Sequence, residues 1–304
     1  MITFDATSEK FFAIVNGQRV ESANKQYLKT KIAKLGGGMG QSQSAPAVDE
    51  MQEPVAPRFD INERFDFTAQ LVDLVADGTQ ASVLITGEGG LGKTYTVMKT
   101  LAAAGFQDKL NVMGDSEEGT VVSGLKLYRV VKGYSTPKGL YRMLYENQNS
   151  IVVFDDCDSV FKDPDAVNLL KGALDSSEDR WISWNSSKLE EDLPRSFKFT
   201  GGVIFISNLA MGRIDQAIRS RSMCVDLGMT TDEKLDRMAA IMNEDEFMAD
   251  VSMEMKADAL DLIREHKDRV KEISMRTLIS IIKIRATGKP QWAKLAEYVL
   301  MTTK

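Results

Sequence analysis

Eight consecutive residues, Gly87-Glu88-Gly89-Gly90-Leu91-Gly92-Lys93-Thr94, have the types and spacing that hold the phosphates of a nucleoside triphosphate. Glycines let successive backbone N–H groups curl around phosphate oxygens, and a helix starting at the end of the loop adds the positive end of its dipole. In such a loop Lys93 reaches the β- and γ-phosphates, and the Thr94 hydroxyl is a ligand for Mg2+. The candidate nucleotide-contacting stretch is Gly87, Glu88, Gly89, Gly90, Leu91, Gly92, Lys93, Thr94 and Tyr95. Within it Glu88 and Leu91 fill spacer positions and receive no role of their own. A chance glycine-rich turn is the bland alternative. It is disfavoured by the apolar VLIT run directly before the loop and the helical stretch directly after it.

A second candidate group lies about sixty residues further on, where Ile151 to Phe154 ends in Asp155-Asp156. A buried strand of this kind delivers its first acid, Asp155, to the Mg2+ shell, while Asp156 can orient or deprotonate the attacking water. Asp158 is a lesser substitute for the second role. A third apolar run, Gly202 to Ser207, ends in Asn208, whose amide could contact the γ-phosphate or the water. An Asn that merely caps a turn is the ordinary alternative. Arg219 and Arg221 follow just before another apolar run, and Arg276 opens a later helical stretch. Each arginine alone reads as a surface residue, and their order along the chain is what singles them out.

The elements that must position these groups alternate. Candidate strands are Val83 to Thr86, Leu127 to Val131, Ile151 to Phe154, Val203 to Ser207 and Met223 to Leu227, with helical patterns at 63–76, 93–104, 137–146, 166–174 and 215–219. Such alternation predicts a parallel five-stranded sheet covered by helices, with ligands at the carboxyl ends of the strands. From Thr231 the pattern becomes helical, opened by a capping box at Thr230 and Glu233 and continuing near 232–243, 253–265, 274–286 and 290–301. The amino-terminal 35 residues read as a ββα-like unit: apolar alternation around Phe12, Ile14 and Val20, a turn at Asn16-Gly17, and a helical stretch from Ala23 to Leu35. The expected organisation is a small unit at 1–35, a flexible linker at 36–57, a nucleotide-binding core at 58–229 and a helical domain at 230–304.

The succession GEGGLGKT, IVVFDD, GGVIFISN, AIRSR and ISMRTL resembles the Walker A, Walker B, sensor 1, arginine finger and sensor 2 series of AAA+ ATPases, over about residues 60 to 300. The core wording is also similar to AAA+ ATPases encoded by tailed bacteriophages. The resemblance implies an αβα sandwich with a helical lid, ATP and Mg2+ as cofactors, and assembly of the chain with itself into a ring, with a hexamer the expected form. ATP would then lie between subunits. Carried over by position, Asn208 matches sensor 1, Arg276 matches sensor 2, and Arg221 matches the finger that reaches a neighbouring subunit, with Arg219 the second choice. One position departs from the pattern. The family normally carries Glu after the first Walker B acid, and Asp156 is one methylene shorter, so binding is better supported than fast hydrolysis.

Two further features bear on what such a ring would act upon. Arg180 to Trp184 and Ser196 to Thr200 alternate like the strands of a hairpin, similar to the insertion before sensor 1 in one AAA+ clade. It could present Lys188 and aromatics to nucleic acid, or be structural and bury Trp181 and Trp184. Lys132-Gly133-Tyr134-Ser135 occupies the position of a channel loop with an aromatic grip, or is simply a turn before Pro137. The amino-terminal unit carries Lys10, Arg19, Lys25, Lys29, Lys31 and Lys34 against three acids.

At 304 residues the chain has room for a core and satellite domains, and its net charge of −6 gives no general attraction to nucleic acid. Two distant cysteines, Cys157 and Cys224, form no metal or disulfide framework, and one histidine, His266, excludes His-rich metal sites. No apolar run has membrane-spanning length and the first residues lack a signal-peptide pattern, so a cytoplasmic protein with no membrane partner is expected, in host cytoplasm if phage-encoded. The functional expectation is an ATP-driven motor or loader acting on DNA. A protein-remodelling chaperone and a slow nucleotide-switched interaction protein are the alternatives.

Overall fold

In a computed structural model, residues 3–5, 10–15, 18–22, 59–114, 124–133, 136–184 and 193–302 are described. The chain divides into two units, Met1–Pro57 and Arg58–Lys304. In the first, β1 (Thr3–Asp5), β2 (Lys10–Val15) and β3 (Gln18–Ser22) form an antiparallel sheet in that order. Period-2 alternation is visible in β2, where Ala13 and Val15 are buried and Ile14 between them is exposed. The expected pair of strands is present, and β1 is an addition. The expected turn at Asn16-Gly17, the helix at 23–35 and the linker at 36–57 lie outside the described residues.

The second unit is built on one parallel sheet. Its strands are β4 (Ser82–Thr86), β5 (Gln107–Asp108), β6 (Leu127–Lys132), β7 (Ile151–Asp155), β10 (Val203–Ile206) and β11 (Met223–Asp226), in the order β11-β4-β10-β7-β6-β5. All five pairings are parallel. The sheet thus has six strands where the sequence pattern gave five. The extra one, β5, is only two residues long, too short to show a periodicity, and it leads into a short helix, α3 (Lys109–Gly114), that was also not expected.

Strands β4, β7 and β10 are buried along their whole length, which explains why they read as unbroken apolar runs instead of alternating ones. Their side chains nevertheless divide by parity. Leu84, Val152, Phe154, Val203 and Phe205 pack on one face with α4 (Pro137–Glu146) and α5 (Pro164–Ala173). Val83, Ile85, Val153, Ile204 and Ile206 pack on the other with α1 (Ile61–Ala76) and α2 (Lys93–Ala103). The outcome is a helix–sheet–helix sandwich. Helix α1 starts two residues before the position expected, because Asp60 and Glu63 form a reciprocal capping box.

The insertion of β10 between β4 and β7 depends on the Gly201-Gly202 pair. A Cβ at Gly201 would lie 2.0 Å from the Ser150 carbonyl oxygen, and one at Gly202 would lie 2.5 Å from Cγ1 of Val75. Only a bare backbone enters the sheet there.

Between α5 and β10, β8 (Trp181–Ser183) and β9 (Ser196–Lys198) form the expected antiparallel hairpin. Ile182 and Phe197 face the core, whereas Trp181 is 57% exposed. A hairpin that buries both tryptophans is therefore not what forms: Trp184 is half-buried beside Tyr141, with ring centroids 6.1 Å apart, and Trp181 points outward because it alternates with Ile182. Lys188, Tyr134 and Ser135 lie outside the described residues.

After α6 (Gln216–Arg219) and β11 the chain is helical: α7 (Thr231–Met242), α8 (Met253–Glu265), α9 (Met275–Ala286) and α10 (Trp292–Thr302). These helices share a core of their own around Met238, Leu260, Ile263, Leu278 and Ile282. The capping box at Thr230 and Glu233 opens α7 as expected. His266 is the residue that ends α8. Among the described residues no helix is long and apolar enough to cross a membrane.

Candidate functional site

Parallel pairing aligns the carboxyl ends of three neighbouring strands. Ile206 of β10 is in register with Ile85 of β4 on one side and with Asp155 of β7 on the other. The chain leaving those ends supplies Gly87, Asp155-Asp156 and Asn208, so residues about fifty to one hundred and twenty positions apart emerge side by side.

The loop after β4 needs its glycines. Gly87, Gly90 and Gly92 have φ of 137°, 77° and 98°, a region that residues with a Cβ enter only under strain. At Gly87 a Cβ would also meet the backbone carbonyl of Leu227 at 2.9 Å. Lys93, the first residue of α2, is buried, and its Nζ donates to the carbonyl oxygens of Gly87 at 2.7 Å and Glu88 at 2.6 Å and to Asn208 Oδ1 at 2.9 Å. Burial pushes its pKa down, against the pull of Asp156 and Asp155. The Thr94 hydroxyl donates to Asp155 Oδ1 at 3.0 Å.

Asn208 links the two halves of the site. Its Oδ1 accepts from Lys93, and its Nδ2 donates to Asp156 Oδ1 at 2.7 Å. Asp156 has φ of 56°, one of two non-glycine residues with positive φ among those described. That left-handed turn carries its carboxylate away from the strand axis and toward Asn208, at a backbone cost of about 1–3 kcal/mol. Partial desolvation at the edge of the site raises the pKa of Asp156, and the neighbouring Asp155 carboxylate adds to the rise. Asp158 is occupied elsewhere, accepting from the Ser207 hydroxyl at 2.5 Å, so its carboxylate serves to hold the end of β10.

These groups open onto a cleft of about 760 Å³ whose lining includes Gly89, Gly90, Gly92, Lys93, Thr94, Tyr95, Asp155, Asp156, Asn208 and Arg276. Arg276 arrives from the first turn of α9, which is anchored by a hydrogen bond from the Met275 N–H to the Gly90 carbonyl at 2.8 Å. Tyr95 sits at the rim, its hydroxyl donating to Glu244 at 3.4 Å and Glu246 at 3.5 Å.

The two spacer positions of the loop have structural tasks. Leu91 is a core side chain, and the Glu88 carboxylate pairs with Lys234 of α7. Arg221 and Arg219 do not line the cleft. Arg221 is exposed and donates to the Ala217 carbonyl at 3.1 Å, and Arg219 donates through Nε to that of Ile214 at 3.1 Å.

One residue expected in a channel loop or a turn, Lys132, belongs to the site instead. Lys132, the last residue of β6, is in register with Asp155, lines the cleft, and places its Nζ 3.0 Å from Asp155 Oδ2. Its position on a strand adjacent to β7 is a matter of sheet order, for which the sequence carries no local signal. Cys157 takes no part in the cleft. Its thiol donates to the Val131 carbonyl at 3.1 Å, and burial raises its pKa to about 11. Among the described residues no group of three or more His, Cys, Asp or Glu could hold a metal by itself.

No protein-family model matches this chain. It is 32% identical over 267 residues to the "Uncharacterized 36.7 kDa protein in nrdC-mobD intergenic region" of Enterobacteria phage T4, over 82% of this chain and 76% of that protein. The chain belongs to the family of that phage protein. Since 82% of 304 residues is about 249, the matched stretch includes positions 87–94, 155–156 and 208 of this family member wherever it begins. Among solved structures, "Structure of Drosophila ORC bound to DNA" matches at a TM-score of 0.42 and 15% identity, over 92% of this chain and 74% of that one. A likeness that loose is too weak to assign fold or function.

Proposed function

We propose that this chain is an ATPase of the AAA+ kind that assembles with copies of itself into a ring and acts on nucleic acid as a motor or loader. The observation that carries the ATPase reading is the convergence of Lys93, Thr94, Asp155, Asp156 and Asn208 on one cleft, where Asn208 joins Lys93 to Asp156 and Thr94 is hydrogen-bonded to Asp155. In this reading the loop N–H groups and Lys93 bind the phosphates. Asp156, held by Asn208, orients or deprotonates the attacking water. Arg276 approaches the phosphates from the helical segment at 230–304, acting as a lid over the core at 58–229.

The residues also fit Mg2+. Thr94 Oγ1 and Asp155 Oδ1 are hard oxygen donors 3.0 Å apart, which suits a cation that keeps most of its shell for water and phosphate instead of a protein cage. When bound, the ion would offset the charge of the phosphates. Arg221, exposed and without a carboxylate partner among the described residues, is assigned to a neighbouring subunit's site, with Arg219 as second choice.

Support for nucleic acid as the substrate comes from the hairpin, where Trp181 is open to solvent and available for base stacking, and from the lysines of the amino-terminal unit. The cytoplasm is the expected setting. ATP turnover measured with single-stranded DNA, duplex DNA or an unfolded protein, with Lys93→Ala as the blank, tests the reading. Stimulation by DNA is expected. Stimulation by unfolded protein alone would replace it with protein remodelling, and tight ATP binding without turnover would replace it with a nucleotide switch limited by Asp156.

A further inference from the structure

We infer that Lys132 is an intramolecular counter-cation that competes with the divalent metal for Asp155 and sets the metal concentration at which the site loads. The inference rests on the nucleotide-site reading above and adds a role for a residue outside the loop and strand-end residues that define it.

Both oxygens of the Asp155 carboxylate are engaged. Oδ1 accepts from Thr94, and Oδ2 faces the Lys132 ammonium at 3.0 Å. The partners differ sharply in setting: the Asp155 side chain is 7% exposed and that of Lys132 is 68% exposed. A buried carboxylate at the floor of the cleft is therefore neutralised by a flexible arm reaching in from solvent. Adjacent strands put the arm within reach, because β6 and β7 run parallel with Lys132 and Asp155 in register.

Charge explains why such an arm is useful. Asp155 and Asp156 line one end of the cleft with Asp158 close by; Lys93 feels all three carboxylates, and Lys132 acts on Asp156 as well as pairing with Asp155. Asp156 and Asp158 spend hydrogen bonds on Asn208 and Ser207, so Asp155 alone is faced by both a hydroxyl and an ammonium. A lysine is a mobile point charge, and with the ammonium end of the pair left in solvent the ion pair stays weaker than a fully buried one. It can hold the carboxylate in place until a divalent cation arrives and then yield without a large cost. The displaced ammonium stays inside the cleft, in reach of an anionic ligand.

The test is a Mn2+ titration followed by electron paramagnetic resonance on the full chain with ADP bound, paired with calorimetric ADP binding in metal-free buffer. Lys132→Met should tighten Mn2+ binding by about two- to fivefold, the range for an ion pair whose cation stays in solvent. Lys132→Arg, which keeps the charge, should stay near wild type. Unchanged or weaker Mn2+ binding by a folded Lys132→Met protein would overturn the inference while leaving nucleotide binding intact. Metal-free ADP binding that is equal in wild type and Lys93→Ala would instead overturn the nucleotide-site reading, and the inference with it.

Discussion

Truncating Asn208 is the most informative perturbation of this site, because one side chain holds both the ammonium of Lys93 and the carboxylate of Asp156. Each hydrogen bond has a charged partner, a class worth about 1.5–3 kcal/mol. Asn208 is exposed, so the lower end applies, and the pair together amounts to about 3 kcal/mol. Lys93 keeps two carbonyl acceptors after the change, whereas Asp156 loses the Asn208 donor that fixes its carboxylate. The loss should therefore fall on the chemical step more than on binding. For Asn208→Ala we expect kcat to drop by about 10- to 150-fold, the lower figure corresponding to the Asp156 bond alone at about 1.5 kcal/mol and the upper to the full 3 kcal/mol, with nucleotide affinity changed less than about fivefold. Steady-state turnover and equilibrium binding of a fluorescent nucleotide measure the two quantities, and a thermal melt checks the fold. A double-mutant cycle with Asp156→Asn should show that the second change adds little once Asn208 is gone. A kcat within threefold of wild type would refute the idea that Asn208 positions Asp156.

Two further outcomes follow from groups outside that bridge. If Arg221 completes a neighbour's site, inactive Arg221→Ala and inactive Asp156→Ala subunits should regain measurable ATPase activity when mixed, since some sites then combine an intact Asp156 with an intact Arg221; a mixture as inactive as its parents counts against a shared site. Cys157 gives a pH signature: the unfolded thiol ionises near its ordinary 9.0, while the folded one holds its proton to about 11, so its contribution to stability is complete below pH 9 and is lost as the pH rises toward 11. Chemical denaturation across that window should show a steeper loss in wild type than in Cys157→Ala, and equal slopes would refute the assignment.

The sequence by itself determined the local pieces: the glycine loop with Lys93 and Thr94, the buried strands β4, β7 and β10, the acids that end β7, the capping box that opens α7, and the change to an all-helical segment. Each is written in neighbouring residues, through backbone freedom, apolar run length or cap chemistry. Order within the sheet is not local. It was the tertiary structure that put β10 between β4 and β7, which brings Asn208 against both Lys93 and Asp156, and that put β6 beside β7, which brings Lys132 to Asp155. The short β5 had no pattern to read. Trp181 turned outward because alternation with Ile182 left one face of the hairpin to solvent, and which face that is depends on the core it packs against. Residue types specify what chemistry is possible at the Gly87 to Thr94 loop. Which distant side chains meet there is set by strand order and register, which depend on packing across the whole sheet.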